Sequence, residues 1–303
     1  MLNKLIANIL PHFPKKLVWL FSKRYIAGES IEEGLLASKL LNEKGIEITI
    51  DLLGEFIESI DEAEDNKNEY IEIVTQFTNE NIKGNFSLKP TMFGLLIDAE
   101  ICYNYIREIV SLAAKRNSFV RIDMEDSQCV DMEIDIFRRL KLEFPANVGL
   151  VVQAYMRRTM SDLEVLNDLN TKENPLSFRL CKGIYVEPEN IAFQGFEEVQ
   201  QNFLYNLEYM FKNKMYVGIA THDKFLVNES YKLIEKYSVP KNMYEFQMLF
   251  GVTPDLRESI LEKGHLMRVY VPYGEHWFGY STRRLKENPK MATEIIKALF
   301  VRG

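Results

Sequence analysis

Near the C-terminus the chain reads Tyr280-Ser-Thr-Arg283-Arg284-Leu-Lys-Glu287-Asn288. A phenol, two guanidinium groups and a carboxylate recur there at i, i+3, i+4 and i+7, a spacing that puts all four on one face of a helix. Adjacent guanidinium groups offer a fork of donors matched to a planar carboxylate, and neither loses its charge near neutral pH. A solvated helix with an Arg283–Glu287 pair would show the same spacing, worth only about 0.2–0.5 kcal/mol. The rest of the chain has to decide between an anion clamp and a solvated face.

Other polar residues stand inside or at the ends of apolar runs. Lys89 closes Phe86-Ser-Leu-Lys, and Asp123, Glu125 and Asp126 end the next run. Gln153 and Tyr155 end a fourth; Arg179, Lys182, Gly183 and Tyr185 lie along a fifth; Thr221, His222 and Asp223 close a sixth. Gln247 interrupts a seventh next to Leu249, and Tyr270 and Tyr273 mark an eighth. A charge within a β-run is costly unless it is paired or binds something. Singly, each residue has an ordinary explanation: Lys89 and Asp123 pair with one another, His222 is a hydrogen-bonded core histidine, and Gln153 and Gln247 satisfy buried backbone. Those explanations leave the shared position at run ends unaccounted for.

The elements that must position these residues are β-rich runs alternating with amphipathic stretches. The runs are Ile46–Leu53, Asn85–Thr91, Phe119–Glu125, Gly149–Tyr155, Ser177–Ile184, Met215–His222, Tyr244–Gly251 and Leu266–Tyr273. Most are nearly continuous in apolar residues, as parallel strands covered by helices are. Asp131–Leu142, Met160–Leu169, Val199–Phe211 and Lys224–Lys236 carry helical periodicity, and Glu55–Asn79 supplies the first crossover. Eightfold strand–helix alternation predicts an α/β fold, a (β/α)8 TIM-like barrel over 45–303 preceded by an N-terminal helical arm over 1–44. Reactive groups in such a barrel sit where strands run into the following loops. The charged stretch Asp61–Asn68 reads as a loop or an exposed helix end.

Bulk properties narrow the class. A formal charge of −7 over 303 residues, with no long basic run, argues against nucleic acid. Cys102, Cys129 and Cys181 are far apart and form no CxxC, which suits a reduced, cytoplasmic setting. His12, His222, His265 and His276 have no close ligand spacing, so no metal site is expected. No GxGxxG and no GxxxxGK[ST] occurs, so a nucleotide cofactor would need side chains and loop amides at a barrel mouth to hold its phosphates. Residues 2–22 are apolar but broken by Pro11, Pro14, Lys15 and Lys16, which is too interrupted to span a bilayer. The basic, apolar segment from Lys15 to Arg24 suits either a packed helix or peripheral contact with an anionic membrane surface.

With these residues in view, the chain closely resembles the single-domain bacterial proline dehydrogenases, flavoenzymes built on a distorted (β/α)8 barrel. The matching segments are Leu52-Leu-Gly-Glu55, Ser87-Leu-Lys-Pro90, Val120-Arg-Ile-Asp-Met-Glu-Asp126, Gln153-Ala-Tyr155 and Arg179-Leu-Cys-Lys-Gly-Ile-Tyr185. They continue through Ala220-Thr-His-Asp223, Phe246-Gln-Met-Leu249, Tyr270-Val-Pro-Tyr-Gly274 and the Tyr280–Asn288 stretch. The order is the family's, and the first forty residues carry little of the likeness.

The resemblance implies oxidation of L-proline to 1-pyrroline-5-carboxylate by hydride transfer to FAD lying across the strand ends. Arg179 would sit beside the reactive flavin nitrogen and Gln153 near the pyrimidine edge. Lys182, Gly183 and Tyr185 would follow the ring and ribityl chain, and Thr221, His222 and Gln247 the rest of the cofactor. The proline carboxylate would be clamped by Arg283, Arg284 and Lys89, with Tyr270, Tyr280 and Leu249 walling the ring. Asp123 would neutralise and position Lys89, and Glu287 would close the site through a final helix over it. Tyr280 favours proline, since relatives that prefer hydroxyproline carry something smaller there. The implied partners are a membrane quinone as electron acceptor and a separate pyrroline-5-carboxylate dehydrogenase downstream. Two departures stand out: Asp223 replaces the Asn of some relatives, and Ile191–Gln201 offers Gln194 and Gly195 but no cation for a diphosphate.

Two other classes compete. A barrel aldolase would use Lys89 or Lys182 as a Schiff-base nucleophile, and a non-catalytic barrel would bind an amino acid without turnover.

Overall fold

The computed structural model describes residues 18, 19 and 22–281. Its strands are β1 (Glu47–Leu52), β2 (Gly84–Leu88), β3 (Val120–Ile122), β4 (Val148–Gln153), β5 (Ser177–Cys181), β6 (Tyr216–Ala220), β7 (Tyr244–Leu249) and β8 (Met267–Tyr273). They form a closed barrel in chain order, every neighbouring pair parallel. β1 and β8 close it in a register running from Glu47 opposite Arg268 to Leu52 opposite Tyr273. All eight expected strands are present. All but β8 are shorter at their C-terminal ends than the apolar runs, because the residues there turn out into the loops.

The helices are α1 (Ile31–Asn42), α2 (Ile60–Asn79), α3 (Ala99–Lys115), α4 (Val130–Glu143), α5 (Thr159–Leu166), α6 (Phe196–Lys212), α7 (Lys224–Lys236) and α8 (Pro254–Glu262). Short polar residues stop the chain from continuing as loop: Ser30 caps α1 in a reciprocal box with Glu33, and Asp98 caps α3. Ser59 caps α2, so the charged stretch Asp61–Asn68 resolves as a helix end rather than a loop.

Strand side chains alternate between two environments. Ile48, Ile50 and Leu52 of β1 join the apolar layer between sheet and helices, whereas Thr49 and Asp51 face the barrel interior and bond across it. The same alternation gives β2 Ser87, β3 Arg121, β5 Arg179, β7 Glu245 and Gln247, and β8 Arg268 and Tyr270, which hydrogen-bond within the barrel interior, mostly between strands. The hydrophobic core therefore lies outside the sheet, and the barrel's axis is polar.

The segment before α1 packs on the closing strand. Ala27 N–H donates to the Pro272 carbonyl, and Gly274 N–H donates to that of Gly28. Trp19 packs against Trp277 with ring centroids 4.7 Å apart, and the Trp277 indole donates to Glu29. A helix begins at 277 and its described part ends at 281. Among the described residues no helix is long and apolar enough to cross a membrane.

Candidate active site

The C-terminal ends of the strands surround a cavity of about 520 Å³. Lys89, Asp123, Gln153, Arg179, Lys182, Gly183, Tyr185, Thr221, His222, Gln247, Leu249, Tyr270 and Tyr280 all line it. Residues from seven separate strand ends and the final helix thus meet in one space. Arg283, Arg284 and Glu287 lie outside the described residues.

At the β1–β3 side two cations and two carboxylates form one cluster. Lys89 Nζ donates to Asp51 Oδ1 at 2.5 Å and to the Tyr270 hydroxyl at 3.3 Å. Its distance to Asp123 Oδ2 is 3.9 Å, so the expected Lys89–Asp123 pairing is present but secondary, and Asp51 is the closer partner. Asp123 instead collects donors: the Ser87 hydroxyl at 2.6 Å, Arg179 Nη1 at 2.9 Å and the Tyr270 hydroxyl at 3.0 Å. Burial alone would depress the Lys89 ammonium, but Asp51 and then Asp123 outweigh it and hold its pKa above the ordinary lysine range. Burial also raises Asp51, against the opposing pull of Lys89. Its Oδ2 is buried and finds no hydrogen-bond partner among the described residues. Asp51 went unread in the sequence although the rule applied to Arg179, a charge inside an apolar run, covers it equally.

Arg179 is nearly immobilised. Besides Asp123 it donates to Gln247 Oε1 at 2.6 Å and to Ser87 Oγ at 3.1 Å, and its guanidinium lies 5.0 Å from the centre of the Tyr270 ring. Tyr270 is partly buried, and desolvation followed by the Asp123 charge keeps its phenol well above the usual range and therefore protonated. Leu249 and Tyr280 supply an aromatic and aliphatic wall to the same end of the cavity.

Toward β4–β6 the lining becomes more mixed. Gln153 Nε2 donates to the Glu125 carbonyl at 2.7 Å, which fixes its amide. Gly183 has φ +107°, and a Cβ there would come within 2.1 Å of the Tyr155 ring, so the loop after β5 can lie against Tyr155 only with glycine at this position. Lys182 Nζ pairs with Asp223 Oδ2 at 2.6 Å, and Gln200 donates to the same oxygen. Those two hydrogen bonds overcome the effect of burial and hold Asp223 below the usual carboxylate range. Asp223 also caps α7 through the Phe225 N–H, so the departure noted there is a structural cap that carries Lys182. His222 Nε2 accepts from the Leu249 N–H at 2.9 Å, tying the β6 loop to β7.

Behind the β2 and β3 loops lies a buried carboxyl pair, of which the sequence singled out Glu125 but not Glu133. Glu125 accepts from both the N–H and the hydroxyl of Thr91, at 3.0 and 2.6 Å, and Glu133 Oε1 accepts from the Glu125 N–H at 3.0 Å. Together with Cys129 they bring three ligand-type atoms within 4.8 Å of one another. Three of the four carboxyl oxygens already accept hydrogen bonds, and burial raises Glu125 to about 7 and, with the Glu125 charge added, Glu133 further. The arrangement is that of two buried carboxyls whose proximity and desolvation favour their protonated forms.

The donor set fits a large anionic, ring-bearing cofactor. Arg179 and Lys182 provide cations along one wall, Gly183 brings backbone close, and Gln153, Thr221 and Gln247 provide neutral polar contacts between apolar residues such as Val151, Met124 and Met248. Lys89 with Tyr270, Leu249 and Tyr280 forms a smaller polar–apolar corner suited to an amino-acid carboxylate and a ring.

Comparison with known proteins agrees with this geometry. The family model described as proline dehydrogenase matches residues 36–296. Proline dehydrogenase 2 of Bacillus subtilis (strain 168) is 34% identical over 266 residues, covering 88% of this chain and 86% of its own. Proline dehydrogenase of Deinococcus radiodurans is 32% identical over 289 residues, 94% of this chain and 92% of its own. Among solved structures, proline utilization A (PutA) from Bdellovibrio bacteriovorus, inactivated by N-propargylglycine, superposes with a TM-score of 0.83 at 28% identity; the match covers 88% of this chain but only 32% of that longer one. The chain belongs to the proline dehydrogenase family, the enzymes that oxidise proline.

Proposed function

We propose that the chain oxidises L-proline to 1-pyrroline-5-carboxylate with FAD bound across the strand ends. The observation that carries this reading is the convergence of Lys89, Arg179, Tyr270, Leu249 and Tyr280 on one cavity whose other half is lined by Gln153, Lys182, Gly183, Tyr185, Thr221, His222 and Gln247. When bound, FAD supplies the hydride acceptor that amino-acid side chains lack. Lys89 holds the substrate carboxylate as a permanent cation, because Asp51 and Asp123 keep it protonated. The carboxylate anchor and the Tyr270, Tyr280 and Leu249 walls orient the pyrrolidine ring so that its CH2 beside nitrogen faces the acceptor. Arg179 contributes a fixed positive charge where negative charge arrives during the reaction. The substrate amine has to be neutral before hydride leaves, so turnover rises with pH through the amine's bound pKa. Arg283 and Arg284 complete the carboxylate clamp with Lys89 in this reading, Glu287 closes the site, and the electrons leave to a quinone, the product passing to a separate dehydrogenase.

The Schiff-base alternative needs a lysine with a depressed pKa. Lys89 is shifted the opposite way, and Lys182 is paired with Asp223.

Visible absorbance of the purified protein, followed by anaerobic addition of L-proline, tests the proposal. A flavin spectrum that bleaches supports it. A flavin that proline does not bleach refutes the substrate, and a colourless protein that takes up no added FAD refutes the cofactor. A soluble quinone restoring the colour under the same conditions supports the acceptor.

A further inference from the structure

Below the cavity floor the polar axis of the barrel continues as a directed chain of hydrogen bonds. Arg179 Nε donates to Gln247 Oε1 at 2.6 Å, and Gln247 Nε2 donates to Glu245 Oε1 at 2.6 Å. The same Glu245 oxygen accepts from Arg268 Nε at 2.7 Å. Arg268 is held in turn by the Ile48 carbonyl and by Glu47. Glu245 and Gln247 are only 2% and 4% exposed. On the neighbouring strand Gly218 makes the space: a Cβ there would lie 2.3 Å from Gln247 Nε2.

The polarity of this chain matters because an amide has two nearly isosteric ends, one donating and one accepting. Arg179 is donor-only, so Gln247 supports it only with the oxygen turned toward it. Ionised Glu245 is acceptor-only, so it attracts the amide NH2 and excludes the flipped orientation. Arg268 keeps Glu245 ionised, its charge and hydrogen bond holding the carboxyl below the usual range despite burial. A flipped amide would aim an NH2 at the guanidinium, leaving two buried donors opposed.

We propose that Glu245 is a positioning residue for proline oxidation: by fixing the amide of Gln247 it holds Arg179 from behind, as Asp123 holds it from the front. The proposal rests on Arg179 acting beside bound FAD. It assigns Glu245 no contact with substrate or cofactor.

The test uses the full-length holoenzyme and Glu245→Gln, which keeps volume but removes the acceptor-only end. Two readouts are taken: steady-state kinetics with proline, and the two-electron midpoint potential of the bound flavin. The expected result is a roughly tenfold lower kcat with KM for proline changed less than about twofold, because Lys89 rather than Arg179 anchors the carboxylate. A tenfold weaker preference for reduced flavin lowers the potential by about 30 mV. Gln247→Leu cuts the same chain while leaving the Glu245–Arg268 pair, so it should reproduce the drop, and the double variant should fall no further. A folded, flavin-loaded Glu245→Gln enzyme with wild-type kcat and potential overturns the proposal. So do multiplicative effects in the double variant. If Glu245→Gln does not fold, a wild-type potential in Gln247→Leu overturns it alone. A wild-type protein that is not reduced by proline instead sinks the functional reading itself, before any variant is compared.

Discussion

Replacing Asp51 by Asn removes the charge nearest Lys89 while keeping shape. The two carboxylates stand 2.5 and 3.9 Å from the ammonium. At an effective dielectric of about 20 these separations correspond to gross attractions of roughly 7 and 4 kcal/mol. Asp51→Asn therefore discards the larger one and leaves the smaller. Orphaning a buried charge outright costs about 3–5 kcal/mol. With Asp123 and the Tyr270 hydroxyl still in place, and with the desolvation of Asp51 itself relieved, the net loss should be about 2–3 kcal/mol, near 5 °C in Tm. The functional effect has a distinctive pH signature. In the wild type Asp51 and Asp123 outweigh the burial that would lower the Lys89 pKa. With Asp51 neutral, burial gains ground and the ammonium titrates earlier. KM for proline should rise about tenfold near neutrality and climb steeply above about pH 9, whereas the wild type stays flat there. Asp123→Asn is the comparison: it removes the charge opposite Arg179 and leaves one acceptor oxygen for the donors of Ser87, Arg179 and Tyr270, so it should lower kcat without adding the alkaline limb in KM. The assay is proline-dependent reduction of a dye acceptor from pH 7 to 10, in all three proteins, with Tm measured alongside. An Asp51→Asn enzyme with a wild-type KM profile, or an alkaline limb appearing in Asp123→Asn instead, would refute the assignment of Asp51 as the principal partner.

Other perturbations bear on different parts of the site. The Glu125–Glu133 pair binds protons more tightly folded than unfolded, so its contribution to stability is present below the unfolded carboxyl pKa and lost as pH rises through the folded values. Glu133→Gln should flatten the decline in Tm between about pH 5 and 8 and leave the variant the more stable at the upper end; a decline as steep as wild type would contradict the raised pKa. Gly183→Ala forces a Cβ against the Tyr155 ring at φ +107°. It should cost at least about 1–2 kcal/mol and reduce flavin content on purification, which absorbance per protein reports directly. Arg284→Lys, read from the sequence, should weaken proline binding with flavin content retained, because a bidentate contact becomes a point charge. Unchanged proline affinity in that variant would remove Arg284 from the clamp.

The eight strands were legible because parallel strands under helices are rich in apolar residues, and that signal survives without knowing the partners. Their ends were less so. The run Phe119–Glu125 yields a strand of only Val120–Ile122, since Asp123 and Met124 turn toward the site and Glu125 turns back to bond Thr91. Most residues of the site could be named in advance from charge or amide within an apolar context, with the family resemblance giving them roles. What sequence could not supply was who holds whom. Lys89 lies 38 residues from Asp51 and 34 from Asp123, and separation along the chain does not say which carboxylate comes closer. Glu245 and Arg268 escaped notice for a related reason. At their strands' N-terminal halves they are remote from the loops where chemistry was sought, and their importance emerges only from a barrel whose interior row is polar.

The packed pair of Trp19 and Trp277 has a spectroscopic consequence. They are the chain's two tryptophans, and their ring centroids lie 4.7 Å apart at the joint where the segment preceding α1 meets the start of the helix bearing Tyr280. Intrinsic indole emission therefore reports on one location rather than averaging over the fold. Any ligand that draws the Tyr280 helix toward or away from the cavity changes the surroundings of both fluorophores together. The enzyme thus carries a native optical probe of this joint, readable without a label and without turnover.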